Sequence, residues 1–289
     1  MIINTFTQTK KALLDRSGIF FVIFLLNIFF LNHSYADPQR KIPEEYLDSF
    51  TLNRKIPVFY SYRDDSYPSD KPILYLKKDV DKNIKQIKNG KVSYYGNTDK
   101  WLYHALKKYP IKDKELAIIG SSICWYESVI LAFGGKPTTI EYNKILTDDP
   151  RLTLLTVEEF NNNPKKFDIV LSISSVEHDG LGRYGDPINP NGDLEFMSYA
   201  KAELLKETGY MILAMPIGKD TLVWNLHRIY GDKRFKLLTE GWDIIYTFGF
   251  DQSQPPYLKT LLFLQYTVVR RHVFLNRLVR HQYFRSALC

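Results

Sequence analysis

Three consecutive titratable residues, Glu177, His178 and Asp179, stand at the head of a long polar stretch in this 289-residue chain. Carboxylates beside an imidazole are the groups that give and take protons in general acid–base chemistry. His178 ranks first among them, because an unperturbed imidazole changes charge near neutrality. Arg183 and Tyr184 follow in the same stretch, a guanidinium and a phenol suited to orienting an anionic or sugar-like molecule. Asp186 and Asp193 make an oxygen-rich set with His178 and Asp179, but the spacing matches no defined metal cage and no metal site is expected. A plainer reading stays open: Glu177 and His178 only hold the loop together, and Asp186-Pro187 with Asn189-Pro190 are ordinary turns.

A second concentration lies at residues 115–141, ELAIIGSSICWYESVILAFGGKPTTIE. Residues 116–119 form a short apolar run, the length of a strand buried on both faces. Gly120 ends it, and Ser121 and Ser122 are expected N-caps of the following helix. Val129, Ile130 and Phe133 keep helical spacing until Gly134 and Gly135 stop it. A β-branched run over 138–140 then ends on Glu141, 21 positions after Gly120. That distance is close to the roughly 20-residue spacing of a ribose-binding acid in nucleotide-binding α/β folds. Backbone N–H groups at such a turn need small residues to approach a ligand, and Gly120, Ser122 and Cys124 are small. The alternative is a tight strand–helix turn with Glu141 as a solvated strand end.

These two groups need a scaffold. An aliphatic run opens at Phe167-Asp168 and extends to Ile173, the clearest parallel-strand candidate, and it delivers the Glu177 loop at its carboxyl end, where ligands sit in open α/β sheets. Strands are expected over 152–155, 167–173 and 210–215, with a final pair over 243–250 and 260–270. Helices are expected over 100–108, 157–160, 194–206 and, less regularly, 224–230. The alternation argues for an α/β fold, a mostly parallel sheet with helices on both faces.

Composition excludes other classes. Hydrophobic content of 45% and aromatic content of 15% fit a packed globular chain. Cys124 and Cys289 are the two cysteines, so neither a disulfide framework nor a cysteine-rich metal site is available. The net charge of +7 does not imply nucleic-acid binding, because residues 37–256 carry 30 basic and 31 acidic side chains. The excess lies at the ends. Residues 18–31 are apolar but for Asn27 and follow Lys10, Lys11 and Arg16, the pattern of a secretory signal core. Ser34-Tyr35-Ala36 suits cleavage before Asp37; an uncleaved signal anchor and a buried helix are the alternatives. Asn32-His33-Ser34 is a glycosylation sequon. The expected organisation is a leader over 1–36, a proline-broken extension over 37–110, the main domain over 111–270 and a basic tail over 271–289. Tail and leader are the candidate membrane contacts; a helix packed on the domain, or a frayed end, is the other reading of the tail.

The order of elements over residues 112–270 resembles the class I S-adenosylmethionine-dependent methyltransferases. The marks are the small-residue turn from Gly120 to Cys124, the acid Glu141, the Phe167-Asp168 opening of the fourth strand and the Glu177-His178 pair beyond it. The runs SSVEHDGLGRYGDPINPNGD, YYGNTDKWLYHALKKYP and HRIYGDKR more closely resemble the domain-of-unknown-function 268 family of nematodes and plants. The first resemblance implies a Rossmann-like fold and a S-adenosylmethionine site at Gly120, Ser121, Ser122, Cys124 and Glu141. Thr156 and Ser174, ending the third and fourth strands, would complete it. It further implies that Glu177, His178 or Asp179 deprotonates an acceptor, which Arg183 and Tyr184 would orient. The acceptor would be a small polar molecule or a glycan if the domain enters the secretory lumen. Two positions depart from the family pattern: Ile118 replaces an acid before the turn, and Thr156 replaces one near the adenine. A turn that keeps only Gly120 of the usual glycines fits the second implication, a Rossmann-like binding or scaffold domain that has lost its cofactor.

Overall fold

The computed structural model describes residues 39–66, 73–93, 95–248 and 263–271. The expectations for the leader and for the tail beyond Arg271 lie outside the described residues. In chain order the elements are α1 (Glu44–Phe50), β1 (Val58–Tyr60), β2 (Ile73–Tyr75), α2 (Lys77–Lys88) and α3 (Asn97–Lys108). Then come β3 (Glu115–Ile119), α4 (Trp125–Ala132), β4 (Lys136–Glu141), β5 (Ile145–Thr147), β6 (Thr153–Thr156), α5 (Val157–Asn162) and β7 (Phe167–Ile173). A 3-10 turn (Val176–His178) precedes α6 (Gly192–Tyr199), which runs into a π-helical turn (Ala200–Leu204). The chain closes with β8 (Leu205–Ile217), β9 (Thr221–Trp224), β10 (His227–Ile229), α7 (Arg234–Leu238), β11 (Trp242–Phe248) and β12 (Phe263–Arg271).

Seven strands form the central sheet in the order β11-β12-β8-β7-β3-β4-β6. The five strands from β8 to β6 are parallel, and β12 is antiparallel to both neighbours. This is the Rossmann-like α/β architecture. The apolar runs explain it, because alternate residues of each strand feed opposite cores. Leu116, Ile118, Ile169, Leu171 and Ile212 pack with Leu102 and Leu106 of α3 and Val129 and Ile130 of α4. Ala117, Val170, Met211, Leu213 and Met215 face the other way, onto Met197 and Leu204. A strand with both faces covered reads as a near-continuous apolar run, and burying each large aliphatic chain contributes about 1.5–3 kcal/mol. The chain steps outward from β3 through β4 to β6, then returns to the other side of β3 as β7. Reversal there opens a crevice outside the carboxyl ends of β3, β4 and β7.

The extension is more ordered than its prolines suggest. β1 pairs in parallel with β9, and β2 in parallel with β5. α3 lies in the main core, so a boundary at residue 110 cuts through one packed unit. The helix expected over 224–230 is instead the β9–β10 hairpin. Its apolar spacing is satisfied by β1, some 160 residues upstream, and by Phe50, whose ring meets Trp224 edge-on at 5.1 Å.

Candidate functional site at the carboxyl edge of the sheet

Gly120 adopts φ +69°, a left-handed conformation that a side chain disfavours. A Cβ there would come within 2.7 Å of Ser175 Oγ, so the β3 turn and the β7 loop touch through this glycine. The Glu141 carboxylate bends back over the turn. Its Oε2 accepts the Ser121 N–H at 2.9 Å and its Oε1 accepts the Tyr142 N–H at 2.9 Å. Burial nevertheless pushes its carboxyl above the usual range. The strand–turn–acid arrangement expected from spacing is therefore assembled at the switch point of the sheet.

The capping expectation differs. α4 starts at Trp125 with Cys124 in the cap position, and neither Ser121 nor Ser122 caps it. Ser121 Oγ instead lies 3.0 Å from the Tyr75 hydroxyl, and Ser122 is exposed on the turn. Cys124 Sγ accepts from Asn83 Nδ2 of α2 at 3.5 Å, and burial pushes its thiol up to about 11. Thr156 caps α5: its Oγ1 accepts the Glu159 N–H, and the Glu159 side chain returns a bond to the Thr156 N–H. That capping box satisfies helix-end donors, a local role that needs no ligand.

The polar loop is built just as specifically. Ser174, at φ +50°, donates its hydroxyl to Glu177 Oε1 at 2.8 Å. Glu177 is 0% exposed, its Oε2 has no partner, and burial pushes its carboxyl up to about 7. A group so enclosed does not reach a substrate, so the structure removes Glu177 from the proton-transfer candidates and leaves it supporting the loop. The His178 ring sits with Nδ1 2.6 Å from the Leu226 carbonyl. That carbonyl can only accept, which fixes the proton on Nδ1 and leaves Nε2 as the bare nitrogen. Burial first, then nearby Arg183, His227 and Arg228, pull the imidazole down to about 4 despite the Leu226 bond. His178 is neutral at pH 7.

Asp179 behaves differently. Its backbone carbonyl accepts from Arg228 Nη1 at 2.6 Å, but among the described residues none donates a hydrogen bond to its carboxylate. The side chain keeps partial contact with solvent while lying deep among protein atoms, as in a recess. Burial, followed by Asp186, raises its carboxyl well above the ordinary range. Tyr142, next to Glu141, is 64% exposed, yet burial and then Asp179 and Asp186 push its hydroxyl up. Arg183 pairs with Asp65 of the extension at 2.8 Å and lies over the Tyr184 ring, 4.7 Å from its centroid.

Residues 113–273, more than half of the chain, match the family described as "Caenorhabditis protein of unknown function, DUF268". The chain belongs to the DUF268 family. No curated protein matches it. Among solved structures, it is similar to a Burkholderia thailandensis 1,6-didemethyltoxoflavin-N1-methyltransferase bound to S-adenosylhomocysteine. The TM-score is 0.46 at 10% identity over 74% of this chain and 99% of that one. It is also similar to a S-adenosylmethionine-dependent methyltransferase from Clostridium acetobutylicum, with TM-score 0.41 at 10% identity over 68% and 99% of the two chains. The glycopeptide N-methyltransferase MtfA gives 0.42 at 10% identity over 80% and 100%.

Sequence reasoning missed what holds the DUF268 loop in place. Arg228 and Arg234, 2% exposed each, converge on the buried Asp193. Arg234 grips Asp193 with Nη2 at 2.5 Å and Nε at 3.0 Å, and Tyr230 adds its hydroxyl at 3.0 Å. The same arginines donate to the carbonyls of Asp179, Asn189 and Pro190. The cue was the run HRIYGDKR, which supplies all three side chains. Asp186 likewise accepts the N–H groups of Gly182 and Tyr184 and closes a turn. His178, Asp186 and Asp193 thus bond to different partners, and among the described residues no group of three or more His, Cys, Asp or Glu is arranged to hold a metal ion. A cavity of about 260 Å³ lies elsewhere, lined by Met197, Lys201, Leu238 and Trp242, and shares no residue with this edge. Among the described residues no helix is long and apolar enough to cross a membrane.

Proposed function

We propose that this DUF268 chain is a S-adenosylmethionine-dependent methyltransferase acting on a polar acceptor. The observation that carries the reading is the Gly120–Glu141 junction at the switch point, with Gly120 bare and Glu141 folded over the turn. The residues present fit a nucleoside there. A carboxylate offers about four lone-pair sites; the Ser121 and Tyr142 N–H groups donate to Glu141, and the Asn143 backbone also acts on it. The acceptor capacity left over faces the hydroxyls of a ribose on this reading. Tyr142, the next residue, is exposed.

Bound S-adenosylmethionine supplies an electrophilic methyl group. Asp179 is the base on this reading: among the described residues nothing donates a hydrogen bond to its carboxylate, and burial, then Asp186, raises its affinity for protons. It takes the proton from the acceptor hydroxyl as that oxygen gains the methyl group. His178, too weakly basic at about 4 to compete, offers its bare Nε2 as a hydrogen-bond acceptor that orients the same hydroxyl. Arg183 and Tyr184 form the wall of the acceptor side. With residues 18–31 read as a secretory signal, a glycan or another polar molecule of the secretory lumen is the acceptor class that follows.

A second reading, a Rossmann-like binding domain without cofactor, is favoured by one observation. Ser121 commits its amide to Glu141 and its hydroxyl to Tyr75. Calorimetric titration with S-adenosylmethionine and S-adenosylhomocysteine separates the two. Saturable heat with one site per chain supports the enzyme, and no heat at high ligand concentration supports the second reading.

A further inference from the structure

Residues 58–65 of the extension form a ribbon along the β9–β10 hairpin and the polar loop. Val58, Phe59 and Tyr60 pair in register with Leu222, Val223 and Trp224. Beyond β1 every second residue bonds to the same side, the period of extended chain. The Ser61 N–H donates to the Trp224 carbonyl at 2.5 Å. The Arg63 N–H donates to Asn225 Oδ1, and the Arg63 carbonyl accepts from Asn225 Nδ2, both at 2.9 Å. The Asp65 N–H donates to the Arg183 carbonyl at 2.9 Å, and Asp65 Oδ2 accepts from Arg183 Nε at 2.8 Å. All of this ribbon lies outside residues 113–273, the part that matches the family.

Asn225 is 0% exposed, and its side-chain amide meets both backbone groups of one residue. That reciprocal pair admits one orientation, since a flipped amide would set donor against donor and acceptor against acceptor. The next residue is Leu226. Its N–H is held by the Val223 carbonyl at 2.6 Å, and its carbonyl lies 2.6 Å from His178 Nδ1. We propose that Asn225 is a positioning residue: through it, residues 58–65 hold the Leu226 carbonyl on His178 and so fix which ring nitrogen is bare. This rests on the reading of His178 above as the group that orients the acceptor, and extends it to a segment that precedes the matched region. The consequence is chemical. A neutral imidazole released from that carbonyl exchanges its proton between two nitrogens, and only the form protonated on Nδ1 presents Nε2 as an acceptor. Arg183 reaches the same carbonyl with Nη1 at 3.5 Å, so the ribbon acts on a second residue of that wall.

The test reads the tautomer directly, by nitrogen-15 NMR of the histidine rings in the full chain near neutral pH, with His178→Gln used to assign the signal. Native His178 should be protonated on Nδ1 and bare on Nε2. In Asn225→Ala the ratio of the two forms should shift about threefold to tenfold toward Nε2–H, the weight of one lost hydrogen bond. Arg63→Pro, at an exposed position, deletes the N–H that Asn225 accepts and should shift the ratio the same way, which keeps the test decisive if Asn225→Ala does not fold. Thr147→Val loses a bond elsewhere in the extension's packing, from Oγ1 to the Tyr75 carbonyl at 2.6 Å, and should leave the ratio native. A native ratio in a folded Asn225→Ala or Arg63→Pro overturns the proposal, as does native His178 protonated on Nε2 or an equal shift in Thr147→Val. Titration with S-adenosylhomocysteine runs beside the NMR and should give the same affinity in native and variant chains. Affinity lost in step with the tautomer shift marks general loosening and overturns the positioning role. No binding to the native chain, with the tautomer shift present, defeats the cofactor reading and supports the positioning of His178.

Discussion

The two halves of the carboxyl edge are held by different means. On the side proposed for the cofactor, Gly120, Ser121 and Glu141 are organised by a strand, a turn and the next strand, all within one βαβ unit. On the side proposed for the acceptor, the loop from Ser174 to Asp193 is clamped from outside. Arg228 and Arg234 come from beyond β9, Leu226 from the β9–β10 turn, and Asp65 from the extension. The first half needs a local pattern. The second needs three distant segments to arrive together, so its side-chain positions depend on the whole chain having folded.

That contrast is sharpened most strongly at Arg234. Replacing it with Met removes both bonds to Asp193 and leaves a buried charge undercompensated, a change expected to cost about 3–5 kcal/mol. Denaturant unfolding measures it, and the loop should lose protection from hydrogen exchange before the β3–β4 unit does. Equal loss in both halves would erase the distinction drawn here.

Next in size is Asp179→Asn, which should leave folding intact and lower turnover by about 10²–10⁴. His178→Ala should cost less, because a histidine held near 4 is already neutral. The reverse order would move the base to His178.

What the sequence shows of this edge follows the same division. The Gly120-to-Glu141 spacing and the Phe167 run are legible, because small residues, β-branched runs and strand length are local. Thr156 misleads: its place at the end of β6 suggests a ligand contact, yet its side chain is a helix cap completed by Glu159 three residues on. Residues 224–230 mislead too, since apolar spacing cannot reveal that Val58, Phe59 and Tyr60 will pair with Leu222, Val223 and Trp224. The isolation of Glu177 is equally invisible, because its burial is imposed by elements that close over it.

Acidity gives a prediction of intermediate size. Glu177 has its carboxyl raised from 4.5 to about 7, so the folded chain keeps a proton that the unfolded chain releases. Its contribution is complete below about pH 4.5 and is lost as pH rises to about 7. Glu177→Gln cannot ionise, so its stability relative to the native protein should improve over that window by up to about 3 kcal/mol. Melting temperatures across the range test it, and a constant difference would contradict the burial argument.

The smallest effect belongs to Asp65→Asn. The pair with Arg183 is partly exposed, at 25% and 12% of the side chains, so its loss should cost about 0.5–1 kcal/mol. The expected consequence is weaker acceptor binding with cofactor affinity unchanged, seen as a raised KM. An equal fall in both affinities would show that the extension serves the cofactor side as well.

The central claim is tested most directly by titrating S-adenosylhomocysteine into the native chain and into Glu141→Ala under matched conditions. Charge-assisted bonds to two ribose hydroxyls are each worth about 1.5–3 kcal/mol, so the variant should bind about tenfold or more weakly. Its melting temperature should change little, because the carboxylate bonds to backbone groups of the adjoining turns. Equal affinity in the two proteins, or no binding to either, would contradict the account.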